Sequence, residues 1–298
     1  IYNSDFSTQR ILTESSEKNG FIQKASLQSI FLEDKWSISK NIKLRLGIRN
    51  TYFSKNNSSY LEPRISATMK VTPNFIFEGA LGKNNQFIHQ FNSPLSTRGT
   101  QGTWFISQEQ IPVVSSFSSQ ISSHWKRHKY EYSISLYQRN SEGHFNFEKY
   151  LSPIPILSEQ NDYENQYYAE SQGEEKINGA EVLIRRKNHL INGWISYHFN
   201  QTKYSSPDIN NGNLYNADHD LRHEFKSVLV TSILNWDITA SWSYSSGRVF
   251  TQEEDINKTN DFQIIFDLDS RNKQMLPPIH HLDLSISKMY KLKKFEVN

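Results

Sequence analysis

Two groups of residues in this 298-residue chain could do chemistry. The first is Asp218, His219, Asp220, His223 and Glu224, two imidazoles among three carboxylates, with Asp208 upstream of them. Two histidines four apart share one face of a helix and can hold a metal ion, and an acid beside an imidazole can activate water for hydrolysis. The residues around them read as a loop running into a strand, where positions four apart stand roughly 13 Å apart, so shared ligation is not expected. His280 and His281 are consecutive and on a strand point to opposite faces, which separates them as well. Cysteine is absent, which removes thiolate metal sites and disulfides, and neither a Gly-rich phosphate loop nor a nucleophile elbow occurs. No catalytic residue, metal site or cofactor is expected, and the chain does not read as an enzyme. The second group is aromatic: Trp104, Phe105, His144, Tyr163, Tyr167 and Tyr168 sit in long polar stretches, where rings can stack on a ligand. These six are the ligand-contact candidates.

Such loops need a scaffold, and residues 177–250 show its design. Residues 177–186 and 190–203 alternate as two strands about Lys187-Asn188-His189, with Ile191, Ile195, Tyr197 and Phe199 on one face. A long polar connection follows over 204–220, and 221–234 and 236–250 form the next hairpin about Asn235. Short turns and long connections alternate, which puts all the short turns at one end of a sheet and all the long loops at the other, as in bacterial outer-membrane barrels. The rest of the chain repeats this. Residues 1–20 read as a loop and 22–39 as a strand; in the next strand Ile42, Leu44, Leu46 and Ile48 alternate with Lys43, Arg45, Gly47 and Arg49. Strands 61–71 and 75–86 flank Thr72-Pro73-Asn74, and strands 113–126 and 129–140 flank Arg127-His128. Long connections span 87–112, 143–176 and 251–275; a strand runs from Ile279 through Ile286, and another starts at Phe295. That makes about eleven strands and the beginning of a twelfth. If the apolar set faces lipid, Lys43, Arg45 and Arg49 face the lumen, because a basic side chain facing lipid at mid-membrane costs roughly 2–4 kcal/mol.

Composition permits this architecture. Mean hydropathy is −0.68, and no run of about 18 apolar residues could span a membrane as a helix; a barrel escapes that test because only alternate residues meet lipid. Aromatics make up 13% of the chain, enough for interfacial girdles. Trp36, Phe75, Trp125, Tyr130 and Trp236 flank the short turns, while Tyr52, Phe53, Tyr60, Tyr197, Phe199 and Tyr244 lie toward the long loops. The net charge of +2 asks for no nucleic-acid partner. The chain starts at Ile1 without a secretory leader, so it reads as an internal piece of a longer protein.

Several segments carry a family resemblance in their order and spacing. They are Glu62-Pro63-Arg64-Ile65-Ser66 followed by residues 82–90, Ile177-Asn178-Gly179-Ala180-Glu181-Val182-Leu183, and Ile191-Asn192-Gly193-Trp194-Ile195-Ser196-Tyr197. Asp220-Leu221-Arg222-His223-Glu224, Ser246-Gly247-Arg248-Val249-Phe250-Thr251 and Leu276-Pro277-Pro278-Ile279-His280-His281-Leu282-Asp283 continue the series. Across nearly its whole length the chain resembles the barrel of a TonB-dependent outer-membrane receptor of the type common in Bacteroidetes. The resemblance implies an all-β, antiparallel transmembrane barrel of 22 strands, of which residues 1–298 are a C-terminal part, with the plug domain and TonB box not recognisable in these residues. It implies a bacterial outer-membrane location, lipid around the wall, and TonB-energised uptake of a scarce small-molecule, peptide or glycan ligand, such as an iron chelate or vitamin. A lid lipoprotein of the kind that pairs with starch-utilisation-type receptors is a further partner left open. Two other readings stand beside this one: a passive pore of about twelve strands, and a barrel hydrolase using Asp208, Asp218 and His219.

Overall fold

The structure, a computed structural model, describes residues 4–7, 24–91, 103–108, 111–149, 168–188, 191–207, 209–251, 271–288, 290–291 and 296–297. Its strands are β1 (Ser4–Ser7), β2 (Ser26–Ser37), β3 (Ile42–Phe53), β4 (Ser58–Thr72), β5 (Phe75–Gln86), β6 (Ile88–Phe91), β7 (Thr103–Ile106), β8 (Val114–Arg127), β9 (Tyr130–Lys149) and β10 (Tyr168–Arg186). They continue as β11 (Ile191–Ser205), β12 (Tyr215–Asn216), β13 (His223–Ile233), β14 (Trp236–Ser245), β15 (Val249–Phe250), β16 (Gln274–Met275), β17 (Ile279–Lys288), β18 (Tyr290–Lys291) and β19 (Glu296–Val297). One 13-stranded sheet runs β1-β2-β3-β4-β5-β8-β9-β10-β11-β13-β14-β17 with β12 added beside β11, and its pairings are antiparallel. The path is open among the described residues, since β1 and β17 do not pair with each other.

The tight turns follow from local chemistry. Leu234 and Asn235 both take positive φ (52° and 64°), the mirror-image turn whose twist matches two antiparallel strands. His128 takes φ 54°, which sets the β8–β9 turn at His128-Lys129, one residue beyond the expected place. Between β4 and β5, Pro73 presets its own backbone angle and Asn74 closes the bend.

Alternation gives the sheet two unlike faces. On one, Ile48, Ile65, Leu81, Ile121, Leu136, Ile184, Ile195, Leu229 and Leu284 lie between 37% and 70% exposed, so no protein core covers them. The other face carries Lys43, Arg45 and Arg49, as expected, and ion pairs such as Glu33–Arg45, Glu78–His124, Glu131–Arg185 and His198–Glu224. The apolar face is called outward here and the charged face inward.

Register shows that the strands lean. One row of hydrogen-bonded neighbours runs Phe75, Trp125, Tyr132, Ile184, Ile195, Ser227, Trp242. Phe75 is the first residue of β5, whereas Trp242 stands six residues above Trp236, the first of β14. Six residues of climb at roughly 3.3 Å, over six strand steps of roughly 4.8 Å, is a tilt of about 35°. Transmembrane barrels tilt by about 35–45°. On β5, β9, β10 and β11 the outward face turns polar after about the same rise, at Lys83, Gln138, Asn178 and Gln201.

Several segments differ from the sequence expectation, among them short strands inside the connections expected over 87–112, 204–220 and 251–275. Residues 4–7, read as loop, pair with β2. The connection expected over 143–176 is in part strand, because β9 runs on to Lys149 and β10 starts at Tyr168. A bulge hides this continuation: Gly143 takes φ +83° and the register shifts between Gly173 and Glu174, which breaks the period of two. The strand expected over 236–250 stops at Ser245; Val249–Phe250 pairs with β16 instead. Gly247 permits this turn-away, since a side chain there would collide with the Leu276 backbone.

Candidate functional site

The outer end of the inward face, where the long connections begin, is the best-knit part of the molecule. Glu175, 2% exposed, sits on β10 beyond the point where outward residues have become Asn178, Lys176 and Glu174, and so above the lipid-facing band. Its row neighbours are Ser141 on β9 and Tyr204 on β11. Arg139 Nη2 donates to Glu175 at 3.0 Å and the Ser141 hydroxyl at 3.4 Å, while His144 Nε2 stands 3.5 Å and His219 Nε2 3.9 Å away. Burial alone would raise the Glu175 carboxyl, but His144 and then Arg139 outweigh it and hold it at about 2. Burial and the adjacent Glu175 push the Tyr204 hydroxyl above its ordinary range. The rings of His144 and His219 lie 5.5 and 5.9 Å from that of Tyr204. The Gly143 bulge makes this possible: simple alternation from Ile134 and Leu136 would turn His144 outward, and the extra residue turns it inward beside Glu175.

A second knot ties the connection 206–222 down. Asp220, 1% exposed, accepts the Thr202 backbone N–H at 2.9 Å and Arg222 at 2.7 and 3.2 Å. Arg222 also donates to Asn216 on β12. Asn272 donates to the Asn216 carbonyl at 2.8 Å and to Asp218 at 2.6 Å, and Arg271 Nη2 lies 3.4 Å from Asp218. A third, apolar knot packs Phe53 of β3 with Phe87, just before β6, and Ile106 of β7. Beside it His89 Nε2 and the Ser107 hydroxyl are 2.8 Å apart; burial, then His144, hold the His89 imidazole below its ordinary value against a hydrogen bond to Pro112.

Lower on the inward wall, Tyr137 of β9 reaches across β10 to His198 Nε2 of β11 at 2.6 Å. It crosses at Gly179, where an added Cβ would lie 2.1 Å from the ring. His198 also faces Glu181 and Glu224, each at 3.6 Å.

The imidazole and acid residues singled out in the sequence are thus dispersed. His219 joins Glu175, Asp220 anchors a backbone, and His223 Nδ1 lies 2.8 Å from the Tyr197 hydroxyl on the outward face. His280 stacks on Trp242 while His281 lies 3.0 Å from Asp283 on the other face. Among the described residues no group of three or more His, Asp or Glu side chains is placed to hold a metal ion, and Asp208 lies outside them. Of the ligand-contact candidates, Trp104 is 44% exposed on β7 and His144 is in the Glu175 cluster. Phe105 and Tyr168 are placed only as backbone on β7 and β10; Tyr163 and Tyr167 lie outside the described residues. Glu175, Tyr204, Arg139 and Tyr137 were missed. A buried acid is invisible until register sets it beside its partners.

Neither a protein-family profile nor a curated protein matches the sequence. Solved structures do match its fold. The ferric enterobactin receptor PfeA of Pseudomonas aeruginosa aligns with a TM-score of 0.61 at 11% identity, over 94% of this chain and 39% of that one. The FrpB iron transporter of Neisseria meningitidis gives 0.59 at 12%, over 90% and 38%. BauA, the ferric preacinetobactin receptor of Acinetobacter baumannii, gives 0.57 at 13%, over 94% and 39%. The fold is that of part of the barrel wall in these receptors. The chain spans about two-fifths of the length of the receptors it matches. The resemblance read from the sequence segments and the likeness in fold point to the same barrel, and within such a receptor wall the three knots stand at the bases of the long loops.

Proposed function

We propose that residues 1–298 form part of the wall of a TonB-dependent receptor in a bacterial outer membrane, and that the complete protein takes up an iron chelate. The observation that carries this reading is the two-faced, tilted sheet: an apolar band on one side, a charged wall on the other, and its bracing gathered at the end where the long loops begin. An iron chelate is favoured over other scarce ligands on two grounds. The fold's solved neighbours are ferric-siderophore receptors and an iron transporter. The inward side of β2–β4 is cationic as well, with Lys35, Lys43, Arg45, Arg49, Arg64 and Lys70 against Glu33 and Glu62, which draws an anionic chelate inward. TonB, acting through the plug and box that such receptors carry, supplies the energy.

The test is uptake of radiolabelled ferric siderophores by iron-starved cells making the complete protein, with and without TonB. Uptake that requires both the receptor and TonB is expected. Uptake that persists at full rate without TonB makes the protein a passive pore and overturns the proposal.

A further inference from the structure

Two imidazoles at the outer end of the inward wall stand against one carboxylate without completing a bond to it. His144, past the bulge on β9, brings Nε2 to 3.5 Å from Glu175 Oε2, and that nitrogen is buried with no hydrogen-bond partner among the described residues. His219, in the connection over 206–222, brings Nε2 to 3.9 Å from the other oxygen, Oε1. Each is an ion pair only when the imidazole is protonated, and imidazoles ordinarily gain that proton between about pH 8 and pH 5. A neutral ring has a single N–H. When that proton is on Nδ1, the Nε2 lone pair faces the carboxylate and acceptor meets acceptor; a second proton turns Nε2 into a donor.

The carboxylate is ready for a cation, because Glu175, held at about 2, is ionised over that whole range. Arg139 of β9 is charged at any such pH and donates to Oε2, the oxygen that His144 faces, whereas His219 approaches Oε1. The Tyr204 hydroxyl of β11 is pushed above its ordinary range and stays neutral, and Ser141 carries no charge. His89, beside His144, is held below its ordinary value by burial and then by His144. Asp218, next to His219 in the chain, is engaged by Arg271 and Asn272. The knot at Asp220, which ties the same connection to Thr202 through Arg222 and Asn216, contains no imidazole.

We propose that Glu175, His144 and His219 form a proton-operated latch, in which acidification closes the two imidazolium rings on the carboxylate and fastens the connection over 206–222 to β10. At alkaline pH that connection is held by the Asp220 knot without the latch. His219 is the moving arm, because its side chain is 58% exposed and belongs to the connection, whereas His144 is fixed on β9. Long connections of an outer-membrane barrel lie on the extracellular side, so the hold on this one follows the pH outside the cell.

The latch needs neither TonB nor a transported ligand, so its test is made on purified protein and can fail independently of the uptake reading. The complete receptor in detergent micelles is labelled by hydrogen exchange at steps from pH 8 to pH 5, with labelling times scaled for intrinsic exchange. Peptides covering the Ala217 and Asp220 amides, which donate to the Thr202 and Ala217 carbonyls, report the hold on the connection. Protection there is expected to rise about two- to fivefold on acidification, the worth of a part-exposed ion pair, while the β2–β3 hairpin, which has no imidazole, stays unchanged. His219→Gln and Glu175→Gln should each abolish the rise. His219→Lys, whose charge is kept throughout this range, should show the protection of the acid state already at pH 8. Should Glu175→Gln lose the heat-dependent gel mobility of a folded barrel, the two substitutions of the exposed His219 carry the test. Equal protection of the parent at pH 8 and pH 5, or a full rise retained in His219→Gln, overturns the proposal.

Discussion

Replacing Ile134 with arginine tests the assignment of faces on which the other conclusions depend. Ile134 is outward on β9, beside Ser123 and Val182, and 49% exposed. It stands four residues above Tyr130, the first residue after the turn, which at a tilt of about 35° is about 11 Å up a lipid-facing band roughly 25 Å tall. Arginine at that depth costs roughly 2–4 kcal/mol, or about 30- to 900-fold in the ratio of folded to unfolded protein. Two controls share the strand. Ser133, one residue away, faces inward opposite His124 and Leu183, so Ser133→Arg should cost about 1 kcal/mol or less. Asn140 is outward but about 27 Å up, at the band's outer edge, where arginine costs about 0–1 kcal/mol. The measurement is urea-dependent folding of the complete receptor into phospholipid vesicles, scored by heat-dependent gel mobility. Equal losses at 133 and 134 would refute the two-faced sheet. A loss at 140 as large as at 134 would refute the tilt and the height of the band.

The remaining predictions concern the inward wall and the loop bases. Gly179→Ala forces the Tyr137 ring off β10 and breaks its bond to His198, costing about 1–3 kcal/mol; in a Tyr137→Ala background the same change should cost almost nothing, and an undiminished loss there removes the explanation. Asp220→Ala strands the Thr202 N–H and leaves the Arg222 guanidinium with Asn216 but no counter-charge, and should cost about 2–4 kcal/mol; faster hydrogen exchange at Thr202 and across 206–217 would report it, and unchanged exchange would contradict it. Glu175 has its folded value lowered from 4.5 to about 2, so its contribution is fully present above pH 4.5 and is lost as pH falls toward 2. Thermal scans at pH 6 and pH 3 should therefore differ less for Glu175→Gln than for the parent, and equal differences would show that Glu175 makes no such contribution.

The barrel wall was legible because its signal is local. Ile42, Leu44, Leu46 and Ile48 alternating with Lys43, Arg45, Gly47 and Arg49 state a period of two without any partner strand, and Thr72-Pro73-Asn74 and Asn235 state tight turns in the same way, the second widened in the structure to include Leu234. Residues 75–86 have the bounds the sequence suggested, and 279–288 begin where Pro277-Pro278 required. Reading failed where one inserted residue changed the phase. Gly143 and the register shift at Gly173 stopped the alternation on β9 and β10, so the paired outer ends of those two strands read as loop.

The same failure explains why the Glu175 cluster was not found. Glu170, Glu174 and Glu175 look alike in sequence, and nothing local marks the third as the one that will be buried. Its partners come from three separate segments: Arg139, Ser141 and, past the bulge, His144 on β9, then Tyr204 on β11, then His219. The bulge acts twice, hiding the strand from a period-two reading and turning the imidazole toward the acid. An insertion that cancels the bulge tests this link. One alanine placed between Gly173 and Glu174 gives Gly143 a partner, restores strict alternation on β9 and turns His144 outward, away from Glu175. The Glu175 carboxyl then loses the partner that does most to hold it down, so the acid sensitivity seen in the parent between pH 6 and pH 3 should shrink in the insertion variant. If it persists in full, Arg139 alone holds the charge and the bulge has no part in it.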